Sequence, residues 1–145
     1  MTVFNKAVKT ILWIVLTATQ SEIFHSSFNA STMLAKKYRL SANKDIQYVL
    51  KRGEIYFSPF FNIKILKNNL KNSRFCIVIS TNISKKAVIR NRAKRQIRAI
   101  ISKNITKISQ NYDFIILTKP AVTVTAFKDL EKTFEFLLRK AGIWQ

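Results

Sequence analysis

A chain of 145 residues with 48% hydrophobic content is one domain's worth and buries a real core, which excludes a wholly disordered basic coat for nucleic acid. Its 26 Lys+Arg against 7 Asp+Glu leave a formal charge of +19. A folded chain so unbalanced repels itself unless a polyanion supplies the missing charge, with nucleic acid the first choice and an anionic membrane surface the second.

Residues 1–34 read differently from the rest and are set apart as an extension to a domain at 35–145. Their only formal charges are Lys6, Lys9 and Glu22, around the apolar run ILWIVLTA at Ile11–Ala18. That run is shorter than the ~20 residues a spanning helix needs. Three readings fit it: a translation start that truly lies at Met33, just before LAKKYRLS; an ordered or disordered extension; or a targeting peptide with LTA as a weak cleavage site.

From Lys36 onward the pattern predicts a compact α/β domain. In LSANKDIQYVLKRG, Ser41 stands as N-cap to a helix with Ile46, Val49 and Leu50 on one face and Gly53 at its stop. IYFSPFFNIKIL predicts a strand with Phe61, Ile63 and Ile65 on one face and Phe60, Asn62, Lys64 and Leu66 on the other. Pro59 marks an edge or bend at its start. RFCIVIS is apolar on both faces and reads as a central strand.

A long helix is predicted next, from about Ser84 to about Ser109. At 100° per residue, Ile89, Ala93, Ile97, Ile100, Ile101, Asn104 and Ile108 share one arc, while Arg92, Arg95 and Arg98, with Lys94 at the border, take the other. YDFIILT is a further buried strand, closed by Lys119 and Pro120. The last helix starts near Thr125, carries Phe127, Leu130, Phe134, Leu137 and Ala141 on one stripe, and ends at Gly142. The order is helix, two or three strands, basic helix, strand, helix.

The segment KKAVIRNRAKRQIR sets Lys85, Lys86, Arg90, Arg92, Lys94, Arg95 and Arg98 within fourteen residues without one carboxylate. Arg90, Lys94 and Arg98 stack at i, i+4 and i+8, and each like-charge pair costs an isolated helix about 0.2–0.5 kcal/mol. A solvated face would mix the signs. Arginine outnumbers lysine on the outer arc, and its planar fork matches phosphate bidentately. The helix N-terminus adds partial positive charge beside Lys85 and Lys86. No zipper, zinc-finger or helix-turn-helix spacing points to DNA, so RNA read by shape and backbone fits better.

Side-chain catalysis has little to work with. Cys76 lies inside an apolar run and reads as a buried thiol, and His25, the only histidine, is in a separate segment. The acids after Tyr38 are Asp45, Glu54, Asp113, Asp129, Glu131 and Glu135, scattered through different elements. Metal-assisted phosphodiester cleavage by a protein needs such ligands clustered.

RNRAKRQIR is similar to the signature R-N-R-x-K-R-x-x-R of the bacterial ribonuclease P protein component, met by Arg90, Asn91, Arg92, Lys94, Arg95 and Arg98. RLSANKDIQYVLKRG resembles that family's opening helix, SPFF its first strand, KKAVIRNR the approach to the signature, and YDFIILTKPA the strand and loop after it. The resemblance runs from about Tyr38 to Trp144. It implies an α+β fold, a single-domain α/β sandwich of αβββαβα order with a left-handed βαβ crossover, as in the second domain of a small-subunit ribosomal protein. It also implies a cytoplasmic, non-catalytic subunit that joins the catalytic ribonuclease P RNA to remove the 5′ leader of precursor tRNA. The hydrolysis would need Mg2+ through the RNA, with no cofactor bound by protein side chains, no DNA partner and no membrane.

By the same resemblance Lys85, Lys86, Arg90, Asn91, Arg92, Lys94, Arg95 and Arg98 would contact the RNA subunit. Ile46, Leu50, Phe60, Lys64 and Trp144 would line a cleft for the single-stranded leader. Relatives usually carry aromatic residues at the positions of Ile46 and Leu50 and a tyrosine at that of Lys64, which lowers the stacking available here. Phe60, placed by alternation on the face of Lys64, and Trp144 are the residues that would compensate. STNISKKA lacks the glycine usual before the signature. A general RNA-binding or ribosome-associated domain is the alternative function, and a membrane-surface protein using Ile11–Ala18 is a third.

Overall fold

Strands that are apolar on both faces need cover on both sides, and three helices supply it in the computed structural model, which describes residues 34–145. The run at Ile11–Ala18, His25 and Met33 lie outside the described residues. In chain order the elements are α1 (Asn43–Arg52), β1 (Glu54–Tyr56), β2 (Phe61–Lys67), β3 (Arg74–Val78), α2 (Ala87–Asn104), β4 (Tyr112–Thr118) and α3 (Phe127–Lys140). Short 3-10 turns lie at Lys36–Tyr38, Ile105–Lys107 and Pro120–Thr123. The strands make one sheet in the order β1-β2-β4-β3. Its first two pairings are antiparallel, and β3 runs parallel to β4, so α2 is the crossover between adjacent parallel strands.

Period-two alternation sorts the sheet into two layers. Phe61, Ile63, Ile65, Phe75, Phe114 and Ile116 turn to one side, where Ala93, Ile97, Ile100 and Ile101 of α2 and Leu130, Phe134, Leu137 and Leu138 of α3 complete the main core. Leu34 also buries there. Val78 and Ile115 turn to the other side and meet Leu40 with Ile46, Val49 and Leu50 of α1. Each such side chain, fully buried, contributes about 1.5–3 kcal/mol.

The structure corrects several expectations. The strand through SPFF is two strands: Ser58 Oγ accepts from the Phe61 N–H at 3.1 Å and donates to the Phe61 carbonyl, closing a bend before β2. The alternation therefore stops at Phe61, and Phe60 packs against the main core instead of sharing a face with Lys64. β3 is terminal in the sheet, not central, and β4 holds the inner position. Two-faced burial reports cover above and below a strand, not its place in the sheet. The outer edge of β3 is covered by the chain before α1, where Arg39 bridges Phe75 and the Leu40 N–H donates to the Phe75 carbonyl at 2.9 Å.

Helix ends also differ. Ala42, not Ser41, precedes α1, and no side chain caps it. α2 is shorter than expected and tightens into the 3-10 turn at Ile105–Lys107. Thr125 does not open α3; its hydroxyl donates to the Ala121 carbonyl, and the helix begins at Phe127. Gly53 ends α1 in extended conformation, and a Cβ there would sit 2.6 Å from the Val49 carbonyl oxygen, so close approach explains the glycine. Gly142 ends α3 with φ +75°, where a side chain is disfavoured.

One ionic clamp fixes α1 to the sheet. Arg74 on β3 stands opposite Asp113 on β4 and donates to both its carboxylate oxygens, at 2.9 and 2.7 Å. Its third contact, 3.0 Å long, goes to Asp45 in the first turn of α1. Asn68 adds a bond to Asp113 at 2.7 Å. Asp113→Ala would leave Arg74 partly buried with one partner lost, and is expected to cost roughly 3 kcal/mol of unfolding free energy. Glu135→Ala, which removes an exposed pair with Arg139, is expected to cost under about 1 kcal/mol. Urea unfolding followed by circular dichroism compares the two, and equal small costs would show that the clamp does not hold the layers together.

Candidate nucleic-acid interface

α2 lays its apolar arc on the sheet and turns its other side outward. Asn91, Arg92 and Arg95 are exposed on the helix, and Lys85 and Lys86 are exposed just before it. Arg90, Lys94 and Arg98 form a half-buried stripe between that outer side and the core. All eight residues expected at an RNA surface thus fall on one helix and its approach, in two ranks. No acid lies in the first turn. The partial positive charge of that end adds to the side-chain charges.

The half-buried rank does more than present charge. Arg90 donates to the Ser84 carbonyl at 2.7 Å, and the Lys86 N–H is held by Ser84 Oγ at 3.2 Å, so the loop before α2 is tied to the helix it precedes. Burial pushes the Lys94 ammonium down to about 8, and the charge of Arg98 adds to this. Burial likewise lowers Arg98, and the second cause is the charge of Arg39. Arg39 therefore belongs to the same positive field, although it lies far away in sequence. Nothing in the local sequence marks it; only its bridge to Phe75 on β3 brings it there.

Five of the acids among the described residues are committed elsewhere. Asp45 and Asp113 hold Arg74, and Glu54 accepts from the Tyr56 hydroxyl. Glu131 takes Lys103 and the buried amide of Asn104, which also bonds the Ile100 carbonyl. Glu135 pairs with Arg139. Lys103 and Asn104 hold their carboxylate low, joining α2 to α3 at the end away from Lys85 and Lys86. What is left on the outer side of α2 is cation without counterion from its own helix. Cys76 is not a reactive group: part of the residue still reaches solvent, but packing against the α1 layer pushes its thiol up to about 12.

The five residues expected to line a leader cleft fall into two separate groups on opposite layers. Ile46 and Leu50 are fully buried between α1 and the sheet and offer no surface. Lys64 is buried in the same layer, where its Nζ donates to the Leu50 carbonyl, one of the four at the end of α1 without a partner inside the helix. Burial lowers its pKa, and the nearby helix C-terminus is the end that favours a cation. Phe60 and Trp144 pack on the opposite layer, against the main core. Trp144 bridges Ile108, with the Lys107 ammonium 5.8 Å and the Arg139 guanidinium 5.7 Å from its ring centre.

A family model described as Ribonuclease P matches residues 34–142. The ribonuclease P protein component of Syntrophomonas wolfei is 30% identical over 112 residues, which is 77% of this chain and 93% of that protein. That of Microcystis aeruginosa is 34% identical over 114 residues, 76% of this chain and 95% of its own. Among solved structures, a Staphylococcus aureus RNase P protein mutant with defective mRNA degradation activity superposes with a TM-score of 0.70 at 25% identity, covering 75% of this chain and 92% of that one.

The depressed Lys94 makes the cost of this surface measurable without RNA. Its folded pKa of about 8 lies below the unfolded value of about 10.4, so the unfolded chain binds more protons between those limits. Stability from this group is complete above the unfolded pKa and is lost as pH falls through about 8. The thermal midpoint of the free protein is expected to rise over that window, and Lys94→Met is expected to flatten the rise. An identical pH profile in the variant would show that Lys94 is not desolvated.

Proposed function

The chain belongs to the family of the ribonuclease P protein component, and from that premise we propose that it binds the catalytic RNA subunit of ribonuclease P through the outer side of α2. On the α1 side of the sheet it meets the 5′ leader of precursor tRNA. The observation that carries this reading is the cationic surface formed by Lys85, Lys86, Arg92 and Arg95 above the half-buried Arg90, Lys94 and Arg98, on a helix that holds no acid of its own. Phosphates supply the counter-charge that the chain lacks, with arginine forks fixing the register of the backbone.

In this reading the RNA carries out the hydrolysis and the protein supplies affinity. Magnesium would be held by RNA oxygens, which suits a chain whose carboxylates at Asp45, Asp113, Glu131 and Glu135 are already engaged by Arg74, Lys103 and Arg139. Neutralising leader and subunit phosphates on one small domain brings the two RNAs together and lowers the repulsion between them.

Arg92 and Arg95 are the residues to change, because both are exposed and neither holds the loop as Arg90 does. Removing two phosphate contacts is expected to make the log–log salt dependence of RNA-subunit binding shallower by about 1.4–1.8. Stability should stay within about 0.5 kcal/mol of the parent. Unchanged affinity and slope for Arg92→Ala with Arg95→Ala, in a binding titration across salt, would show that this side of α2 does not meet the RNA.

A further inference from the structure

One aromatic ring on α1 belongs to neither core cluster. Tyr48 stands on the side of the helix opposite Ile46, Val49 and Leu50, and is 54% exposed. The Arg52 guanidinium, one turn on, lies 5.5 Å from its ring centre. Lys44, one turn back, and Lys51 are both exposed on the same outward side. The one acid of the helix, Asp45, is drawn to the sheet by Arg74 at 3.0 Å. The outer side of α1 is thus a ring flanked by cations whose single carboxylate is occupied.

A lone exposed tyrosine would mean little, but this one stands among cations: a polyanion approaching Tyr48 meets Lys44, Lys51 and Arg52. Stacking on an exposed ring needs a base free of its own helix, which selects single strands over duplex.

We propose that the outer side of α1 is a stacking subsite for single-stranded RNA, in which one base lies on the Tyr48 ring, Arg52 braces the ring, and Lys44 and Lys51 neutralise the adjoining phosphates. The subsite rests on the ribonucleoprotein reading given above and adds to it a contact that the buried Ile46 and Leu50 do not make. It lies in a different place from the outer side of α2, so the two surfaces are separable by substitution.

The test uses the full chain and a fluorescent single-stranded oligoribonucleotide of mixed sequence, about ten nucleotides long and containing 5-bromouridine. Tyr48→Ala is expected to weaken binding roughly five- to hundredfold, and Tyr48→Trp to retain it. Ultraviolet crosslinking followed by peptide mapping is expected to place an adduct on Tyr48. The thermal midpoint of Tyr48→Ala should match the parent, since the ring is outside both core clusters. If Tyr48→Ala binds as tightly as the parent while Arg92→Ala with Arg95→Ala loses affinity, the subsite is wrong and the function stands. If the parent binds no RNA, both fall.

Discussion

The bidentate pairing of Arg74 with Asp113 is the interaction on which the arrangement of charge depends. It joins the two parallel strands, and through Asp45 it draws the first turn of α1 onto the sheet. A chain with 7 acids against 26 Lys+Arg has few carboxylates to distribute, and two of them serve this one guanidinium. The next, Glu131, joins α2 to α3 through Lys103 and Asn104. These three acids stand where layers must be held together. No acid lies within α2 itself.

That division explains why a self-repelling helix persists in a stable domain. The apolar arc of α2 contributes Ala93, Ile97, Ile100 and Ile101 to the main core, and at about 1.5–3 kcal/mol for each large side chain this outweighs like-charge pairs of a few tenths each. Packing holds the helix, and the surplus charge is carried by it. The half-buried rank shows the tension directly: burial depresses Lys94 and Arg98, and neighbouring cations depress them further. A polyanion laid along this side relieves the repulsion, so binding and stability are linked in the same residues.

The apolar arc of α2, the alternation in β2 and the stripe on α3 were legible in the sequence because each is a local period imposed by one element on its own residues. The basic residues proposed to face RNA were legible as a cluster for the same reason, since they lie on a single helix and its approach. Features set by pairing across the chain were not. β3 looked central because helices cover both its faces, while its terminal place follows from which strand it pairs with. Arg39 joins the positive field only through its bridge to Phe75. Alternation assigned Phe60 to the face of Lys64, but the Ser58 bend restarts the count at Phe61. Ile46, Leu50 and Lys64 do share the α1 layer, as the family resemblance implies, but aliphatic side chains there sink into the core rather than border an opening.

The central claim is that this domain assists a reaction carried out by RNA, and one measurement meets it directly. Multiple-turnover cleavage of a precursor tRNA by a bacterial ribonuclease P RNA at low magnesium, with and without the chain, reads assistance rather than binding. Marked stimulation by the chain, lost when Arg92 and Arg95 are changed to alanine, is the predicted result. Tight, salt-sensitive binding to the same RNA without any stimulation would contradict the account and leave a general RNA-binding domain in its place.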